Sequence, residues 1–393
     1  LQRFWWHLSC WYSNLSEKNM KYFLIAGEAS GDLHASRLMQ ELKEADPEAE
    51  FRYMGGDLMG EVSEDMLMHY RETSYMMADV FFHLGKIFRN MRILKRALLQ
   101  WQPDVFIPVD YPGFNLRMSR FAYTHGIKVF YYISPKVWAW NQKRVKKLKQ
   151  FTHRLFAILP FEVEFFRRFG MEVEYFGNPL VDQVSSFREQ FEGKEAWKKR
   201  HGLGERPLVA LLSGSRVKEI ESTLPTMIRL AEEQREYQFV VAGAPSIDPE
   251  IYAGFLRSTD IKIVKGETYA LLESATAGVI NSGTATLEAA LFELPQVVLY
   301  KTSRFAYSIA KRLIKVNFIS LVNLIYGKRL VEEIIQKNLF KLTRTELARI
   351  LEDETYRKGM QQGYRKLIDS LGEQGVTRRV SRRMIVLLKG NLE

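Results

Sequence analysis

The sequence predicts an α/β protein of two Rossmann-like domains facing across a cleft, with helices at the carboxyl end. Three observations predict it. An apolar run, Lys21 to Ala26, meets a glycine-bearing corner, Gly27-Glu-Ala-Ser-Gly-Asp32, and a helical pattern from about Leu33 to Lys43. The layout returns at Pro207 to Leu212, followed by Ser213-Gly-Ser-Arg-Val-Lys-Glu219. It returns again where Ala277, Val279 and Ile280 lead through Asn281-Ser-Gly283 into a helix reaching Phe292, with Pro295 closing the next loop. Ser282 or Thr284 is placed to cap that helix. A helix start of this kind attracts phosphate, and Glu288, about one turn in, suits the two hydroxyls of a ribose.

Composition sets the limits. A chain of 393 residues suits two domains, each with its own core. The formal net charge of +11 favours an anionic partner: nucleic acid, an acidic membrane surface or a phosphorylated substrate. The one cysteine, Cys10, excludes a disulfide within this sequence and any cysteine-based metal cluster, and fits a reducing compartment. No apolar run approaches the ~18 residues needed to cross a bilayer, so a soluble or surface-bound protein is expected. Residues 1–19 are aromatic but interrupted by polar residues and unlike a signal peptide. They read as an upstream extension outside the fold, with translation expected to start at Met20.

The remaining elements follow in order. Phe51 to Met54 is a strand ending in Gly55-Gly56. His34, just past the first corner, reads by default as a packing or surface histidine. Residues 81–100 form an amphipathic helix, with Phe81, Leu84, Ile87, Phe88, Met91, Leu94 and Leu98 on one face and Lys86, Arg89, Arg92 and Arg96 on the other. With Met76, Met77 and Val80 it reads either as a core helix with a solvated basic face or as a surface for acyl chains and anionic headgroups. Asp104 to Asp110 is a strand in which Pro108 predicts an irregularity. Asp110 falls at its carboxyl end, where ligands of open α/β sheets bind and a carboxylate serves as a general base. Lys128 to Ile133 is a strand, and Ser134-Pro-Lys-Val-Trp-Ala-Trp140 after it suggests a sugar or lipid wall. Phe156 to Leu159 is the next strand.

Residues 181–207 are polar and hold the interdomain linker and a leading helix. The predicted divisions are 20–183, 184–340 and 341–393, the last being helices that pack back on the domains or on a partner subunit. In the second domain, Phe239 to Ala242, Ile261 to Val264 and Gln296 to Tyr300 supply strands. Arg216 is placed to neutralise a diphosphate. Thr343-x-x-Glu346 reads as a capping box, and the last helix runs from about Val376 to Lys389.

These residues carry a resemblance. The series Gly27–Asp32, Asp110-Tyr-Pro-Gly-Phe-Asn115, Ser134–Trp140, Leu159-Pro-Phe-Glu162, Gly177-Asn178, Ser213-Gly-Ser-Arg216, Ser282-Gly-Thr284 with Glu288, and Ser320-Leu-Val-Asn323 resembles the lipid-A-disaccharide synthases from about Met20 onward. The resemblance implies an inverting, metal-independent GT-B glycosyltransferase with no cofactor. It implies transfer from UDP-2,3-diacylglucosamine to 2,3-diacylglucosamine 1-phosphate (lipid X), giving a β-1,6 disaccharide and UDP. It places the work in the cytoplasm, peripherally on the inner face of the bacterial membrane, with a homo-oligomer left open. On this reading Asp110 is the base and Arg216 stabilises the departing UDP; Asp104 matches a position the family treats as important. The UDP side comprises Ser213, Gly214, Arg216, Ser282, Gly283, Thr284, Glu288, Asn323, Glu333 and Gln336. The acceptor and lipid side comprises Ser30, Asn115, Ser134, Trp138, Met77, Val80, Phe81, Leu84 and Phe88. Many members have Pro-Asp-Phe where this chain has Pro112-Gly-Phe114, so Asp110 would act alone. The absence of any Asp-x-Asp pair agrees with a metal-free departure of UDP. Rival readings are another GT-B enzyme using a UDP-N-acetylglucosamine-type donor and, from charge alone, a nucleic-acid binder. The basic residues lie on helices beside apolar stripes, which disfavours nucleic acid.

Overall fold

Strands buried on both faces read as continuous apolar runs, and such runs pair in parallel because helices must cover both sides of the sheet. A computed structural model describes residues 19–72, 84–257 and 259–390 and shows this arrangement twice. The first sheet uses β1 (Lys21–Ala26), β2 (Glu50–Gly55), β3 (Met66–His69), β4 (Val105–Val109), β5 (Lys128–Tyr132), β6 (Arg154–Ala157) and β7 (Glu174–Tyr175), in the order β3-β2-β1-β4-β5-β6-β7. The second uses β8 (Leu208–Leu212), β9 (Gln238–Gly243), β10 (Lys262–Lys265), β11 (Ala277–Asn281), β12 (Gln296–Tyr300) and β13 (Glu332–Ile335), in the order β10-β9-β8-β11-β12-β13. Each order reverses once, between β1 and β4 and between β8 and β11. A reversal makes neighbouring connections leave in opposite directions and opens a crevice at the carboxyl ends of the strands.

Register sets what meets at each crevice. Ala26 pairs with Val109 and Val109 with Tyr132, so Gly27, Asp110 and Ile133 emerge side by side. Leu212 pairs with Ile280, which brings the Ser213 and Asn281 corners together. Pro108 does lie in a central strand. The β4–β5 pairing keeps one offset from Phe106↔Val129 to Val109↔Tyr132, so the irregularity expected from a proline without an N–H does not shift the register.

The helix Leu180–Gln190 links the two sheets, so a division at 183/184 falls inside it. The helices Leu339–Glu352 and Glu354–Ser370 cover the second sheet, and the last helix, Val376–Lys389, returns to the first. Its Val380, Met384, Ile385 and Leu387 join the core beside Leu38, Met39 and Leu42 of the helix Ala29–Ala45. Asp182 holds its start, accepting from the backbone nitrogens of Gly375 (2.6 Å), Val376 (3.1 Å) and Thr377 (2.9 Å). The capping-box reading of Thr343 is corrected. Asn338 precedes that helix, and Thr343 Oγ1 donates back to the Leu339 carbonyl from within it.

Asp182→Ala should strip three backbone N–H groups of their acceptor. Urea unfolding should report a loss of about 1–3 kcal/mol, and amide exchange should quicken first at residues 375–379.

Candidate functional site

The crevice of the first domain is built around Asp110. Asp110 (φ +43°), Tyr111 (φ +47°) and Ile133 (φ +61°) all adopt left-handed backbone. Such conformations cost non-glycine residues of order 1–3 kcal/mol each and persist only when their surroundings impose them. Here the surroundings are specific. Asn115 Nδ2 donates to the carbonyls of Ile25 (3.2 Å), Val109 (3.2 Å) and Asp110 (2.9 Å). Tyr131 Oη donates to the Asp110 carbonyl at 2.6 Å, and the Asp110 N–H donates to the Tyr132 carbonyl at 3.1 Å. A Cβ on Gly27 would fall 2.2 Å from the Tyr111 ring, so only glycine lets that ring fold over the first corner. Burial pushes the Asp110 carboxyl up to about 6; Lys136 opposes the shift and Glu28 adds to it. The result is a carboxyl poised near neutrality between a cation and a second acid, with the exposed Ser30 in the first turn of the helix Ala29–Ala45.

Several expected contacts take other roles. Asp104 stands at the opposite end of β4, where its carboxylate accepts from the Lys21 N–H at 2.9 Å. That end of the sheet is remote from the crevice, so the catalytic reading of Asp104 is corrected to a structural one. Asn115 is buried and positions the Asp110 turn through its amide nitrogen. Ser134 is also buried, and Trp138 is 5% exposed with its Nε1 donating to Glu162 Oε1 at 2.9 Å. The lipid-wall reading of Ser134 and Trp138 is therefore corrected. Glu162 also accepts from the Ile158 and Leu159 N–H groups, and burial pushes it up to about 7. Trp140 is the exposed member of the pair, at 48%, with the Arg144 guanidinium 5.0 Å from its ring centre. Met77, Val80 and Phe81 lie outside the described residues, as does the Leu84 side chain. In the helix Leu84–Trp101, Met91, Leu94 and Leu98 pack into the core while Phe88 stays 56% exposed.

On the second domain, Gly214 has φ +114°, and a Cβ there would meet Glu219 Oε2 at 2.6 Å and Asn281 Nδ2 at 3.0 Å. Glu219 Oε2 accepts the Ser215 N–H at 3.1 Å, and its other oxygen accepts from Arg216 Nη1 at 3.1 Å. That ion pair is solvent-exposed and weak, so Arg216 can swing to a diphosphate at small cost. Ser213 is buried, its carbonyl accepting from Thr223 Oγ1 at 2.9 Å. Neither expected cap forms on the helix Thr284–Leu291. Gly283 is the N-cap without a side-chain bond, Ser282 Oγ donates to the Ile319 carbonyl at 2.9 Å, and Thr284 is exposed. No side chain satisfies the first N–H groups of this helix, and an uncapped start of this kind favours anions.

Asn323, Glu333 and Gln336 brace this corner. Asn323 Oδ1 accepts from the Leu330 and Val331 N–H groups, and its Nδ2 donates to Glu333 Oε1 at 2.9 Å. Glu333 also accepts from the Ile319 and Ser320 N–H groups and from Ser320 Oγ. The Gln336 amide is spent on both backbone groups of Thr302. Their reading as nucleotide contacts is corrected: Asn323 and Glu333 are committed to the segment behind Ser282, and Gln336 to Thr302.

The domains also touch. The Lys315 N–H donates to the Ala139 carbonyl at 3.0 Å. Glu288 meets Tyr269, Tyr269 meets Gln183, and Gln183 reaches His34 of the first domain. Sequence reasoning missed Glu28 and Lys136 as neighbours of Asp110, though both stand in the quoted motifs; Tyr269 and Gln183 carried no local signal.

Residues 22–386 match the family model described as lipid-A-disaccharide synthetase. The chain is 36% identical over 377 residues to the lipid-A-disaccharide synthase of Myxococcus xanthus, covering 94% of this chain and 97% of that one. It is 35% identical over 378 residues to that of Nitrosococcus oceani, covering 93% and 96%. Among solved structures it is similar in fold to UDP-GlcNAc 2-epimerase from Neisseria meningitidis bound to UDP-GlcNAc (TM-score 0.63, 14% identity, 93% and 100% covered). It is likewise similar to the spinosyn rhamnosyltransferase SpnG (TM-score 0.60, 11% identity, 93% and 100% covered).

Asp110 binds its proton more tightly when folded (about 6) than at its ordinary value of 3.8, so its ionisation opposes folding as pH rises through that window. Asp110→Asn should therefore melt higher than the wild type at neutral pH, by roughly 1–3 kcal/mol. The difference should vanish below about pH 4, where both states are protonated. Equal stability at neutral pH would refute the raised value.

Proposed function

As the chain belongs to the lipid-A-disaccharide synthase family, and is thereby a GT-B glycosyltransferase of lipid A biosynthesis using a UDP-sugar donor and a lipid acceptor, we propose that Asp110 drives its transfer as general base. The donor is UDP-2,3-diacylglucosamine and the acceptor 2,3-diacylglucosamine 1-phosphate. Asp110 takes the proton of the acceptor 6-hydroxyl while that oxygen attacks the anomeric carbon. The bond from that carbon to the UDP oxygen breaks on the opposite face, its electron pair leaves with UDP, and the configuration inverts. Arg216 and the N–H groups at the start of the helix Thr284–Leu291 meet the charge that grows on UDP. Glu288 holds the ribose.

The observation that carries this reading is Asp110 itself: a carboxyl pushed up to about 6, on a strained turn at the crevice, held there by Asn115 and Tyr131. Gly113 has open space around it and no side chain, so on this reading Asp110 acts alone.

We extend the proposal to the membrane. No helix among the described residues is long and apolar enough to cross one. No Asp or Glu occurs between Asp110 and Glu162, nor between Glu293 and Glu332. These two acid-free stretches meet at Ala139 and Lys315. Around that junction stand Trp140 with Arg144, and the helix Arg304–Leu313 with Phe305 (78% exposed), Lys311 and Arg312. Exposed rings among unopposed cations suit an anionic bilayer surface.

Two measurements test the proposal. In detergent with EDTA, disaccharide formation followed by mass spectrometry should fall about 10²- to 10⁴-fold in Asp110→Ala. The wild-type rate should decline as pH drops through about 6, because the base must be unprotonated. Full activity in a folded Asp110→Ala would discard the base and leave the family standing. Separately, sedimentation with anionic vesicles should weaken at least about tenfold in Lys311→Glu/Arg312→Glu, at roughly 1 kcal/mol per charge. It should also weaken with salt; unchanged vesicle binding would remove this surface from the membrane contact.

A further inference from the structure

Strand order places opposite charges on the two sides of Asp110. Strand β4 lies between β1 and β5, so the Asp110 turn stands between the corner after β1 and the loop after β5. The corner carries Glu28 and the loop carries Lys136, both exposed. Burial pushes the Asp110 carboxyl up, Lys136 opposes the shift and Glu28 adds to it, so both charges are felt at that carboxyl. Arg144 follows on the Lys136 side. Burial and Asp110 push the Tyr131 phenol up, and Arg144 opposes them; the same phenol donates to the Asp110 carbonyl at 2.6 Å.

The loop that carries the two cations is fixed from within. Pro135, Val137 and Trp138 are buried, and Trp138 Nε1 is anchored on Glu162 at 2.9 Å. The Lys136 carbonyl accepts the Ala139 N–H at 3.2 Å, and the Asn141 carbonyl accepts the Arg144 N–H at 3.1 Å. With its neighbours on both sides buried, Lys136 is the side chain this turn presents to solvent. The Arg144 guanidinium lies over the Trp140 ring. Among the described residues, neither cation has a carboxylate partner. Arg216, on the donor side, is paired with Glu219.

We propose that Lys136 and Arg144 bind the 1-phosphate of the acceptor and so make the enzyme specific for a phosphorylated sugar. The proposal rests on the reading of Asp110 as the base for the acceptor 6-hydroxyl. In that acceptor, the carbon bearing the 6-hydroxymethyl group and the carbon bearing the phosphate both adjoin the ring oxygen. A hydroxyl that reaches Asp110 therefore brings the phosphate in beside the base. The charges decide the side: Glu28 repels a phosphate, whereas Lys136 and Arg144 attract it. The ammonium acts as a point charge, and the guanidinium offers paired N–H groups to two phosphate oxygens. Held this way, the sugar is turned with its 6-hydroxyl toward Asp110. The contact itself forms and breaks no covalent bond.

The test reads specificity in the intact protein. Disaccharide formation is measured in neutral detergent, which removes anionic lipid as a second source of phosphate. A pH of about 8 keeps Asp110 ionised in every variant. The acceptor, 2,3-diacylglucosamine, is supplied with or without its 1-phosphate, and one turned over too slowly is scored by its inhibition constant. Wild type should favour the phosphorylated form. Lys136→Gln and Arg144→Gln should each cut that preference roughly tenfold, through the acceptor KM and not the donor KM. Lys136→Arg, which keeps the charge, should retain most of it. Lys147→Gln removes an exposed cation from the next helix, Val145–Phe151, and should keep the wild-type preference. An equal loss there would assign the effect to overall charge and overturn the proposal. So would a wild type that does not distinguish the two acceptors, or folded Lys136→Gln and Arg144→Gln that keep the preference or lose both acceptors alike. No disaccharide from wild type with either acceptor would refute the proposed function itself, and full activity in folded Asp110→Ala would refute the base on which the orientation rests.

Discussion

The amide nitrogen of Asn115 is the contact on which the first half of the site depends. It bonds the carbonyls at the ends of β1 and β4 and the carbonyl of Asp110 together. With two hydrogens for three acceptors, it ties the switch point shut at its base. The left-handed turn above it persists because Asn115, with Tyr131 and the Tyr132 carbonyl, imposes it, since Asp110, Tyr111 and Ile133 each prefer ordinary extended or helical backbone. Strain is thus held where the sheet reverses, and Asn115 and Tyr131 fix the backbone that carries the carboxylate at the crevice.

The second half follows a different logic. No side chain caps the helix at Gly283. What the side chains do is brace. Asn323 and Glu333 satisfy one another and four backbone N–H groups, and Ser282 hangs from the segment they hold. A half-buried carboxylate in such a network is stable when its partners are in place, and Glu333 has them. Glu288 stands outside that network, its carboxylate accepting from Tyr269 Oη at 3.0 Å.

Much of the fold was legible. Strands such as Lys21–Ala26 and Leu208–Leu212 are buried on both faces, so their apolar runs are unbroken and fall within a residue of the observed bounds. The edge strands Met66–His69, Glu174–Tyr175 and Glu332–Ile335 escaped notice because they are short and half-buried, which dilutes the pattern. The capping readings failed at Thr343 and at Ser282/Thr284 for one reason. A hydroxyl's partner is set by whatever carbonyl the packing brings near, and sequence spacing does not record that.

By itself the sequence determined the twin parallel sheets, the glycine corners at their carboxyl ends, the basic charge and the motif series of the family, because each is written in local composition or short spacing. It also singled out Asp110, Arg216 and Glu288. Only the tertiary structure decided what each polar group is free to do. It turned Asp104 away to the far end of the sheet, buried Trp138 on Glu162 and exposed Trp140. It committed Asn323, Glu333 and Gln336 to the backbone, and joined Glu288 to His34 across two domains. Accessibility and proton sharing depend on residues far apart in the chain, and they exist only once those residues are packed.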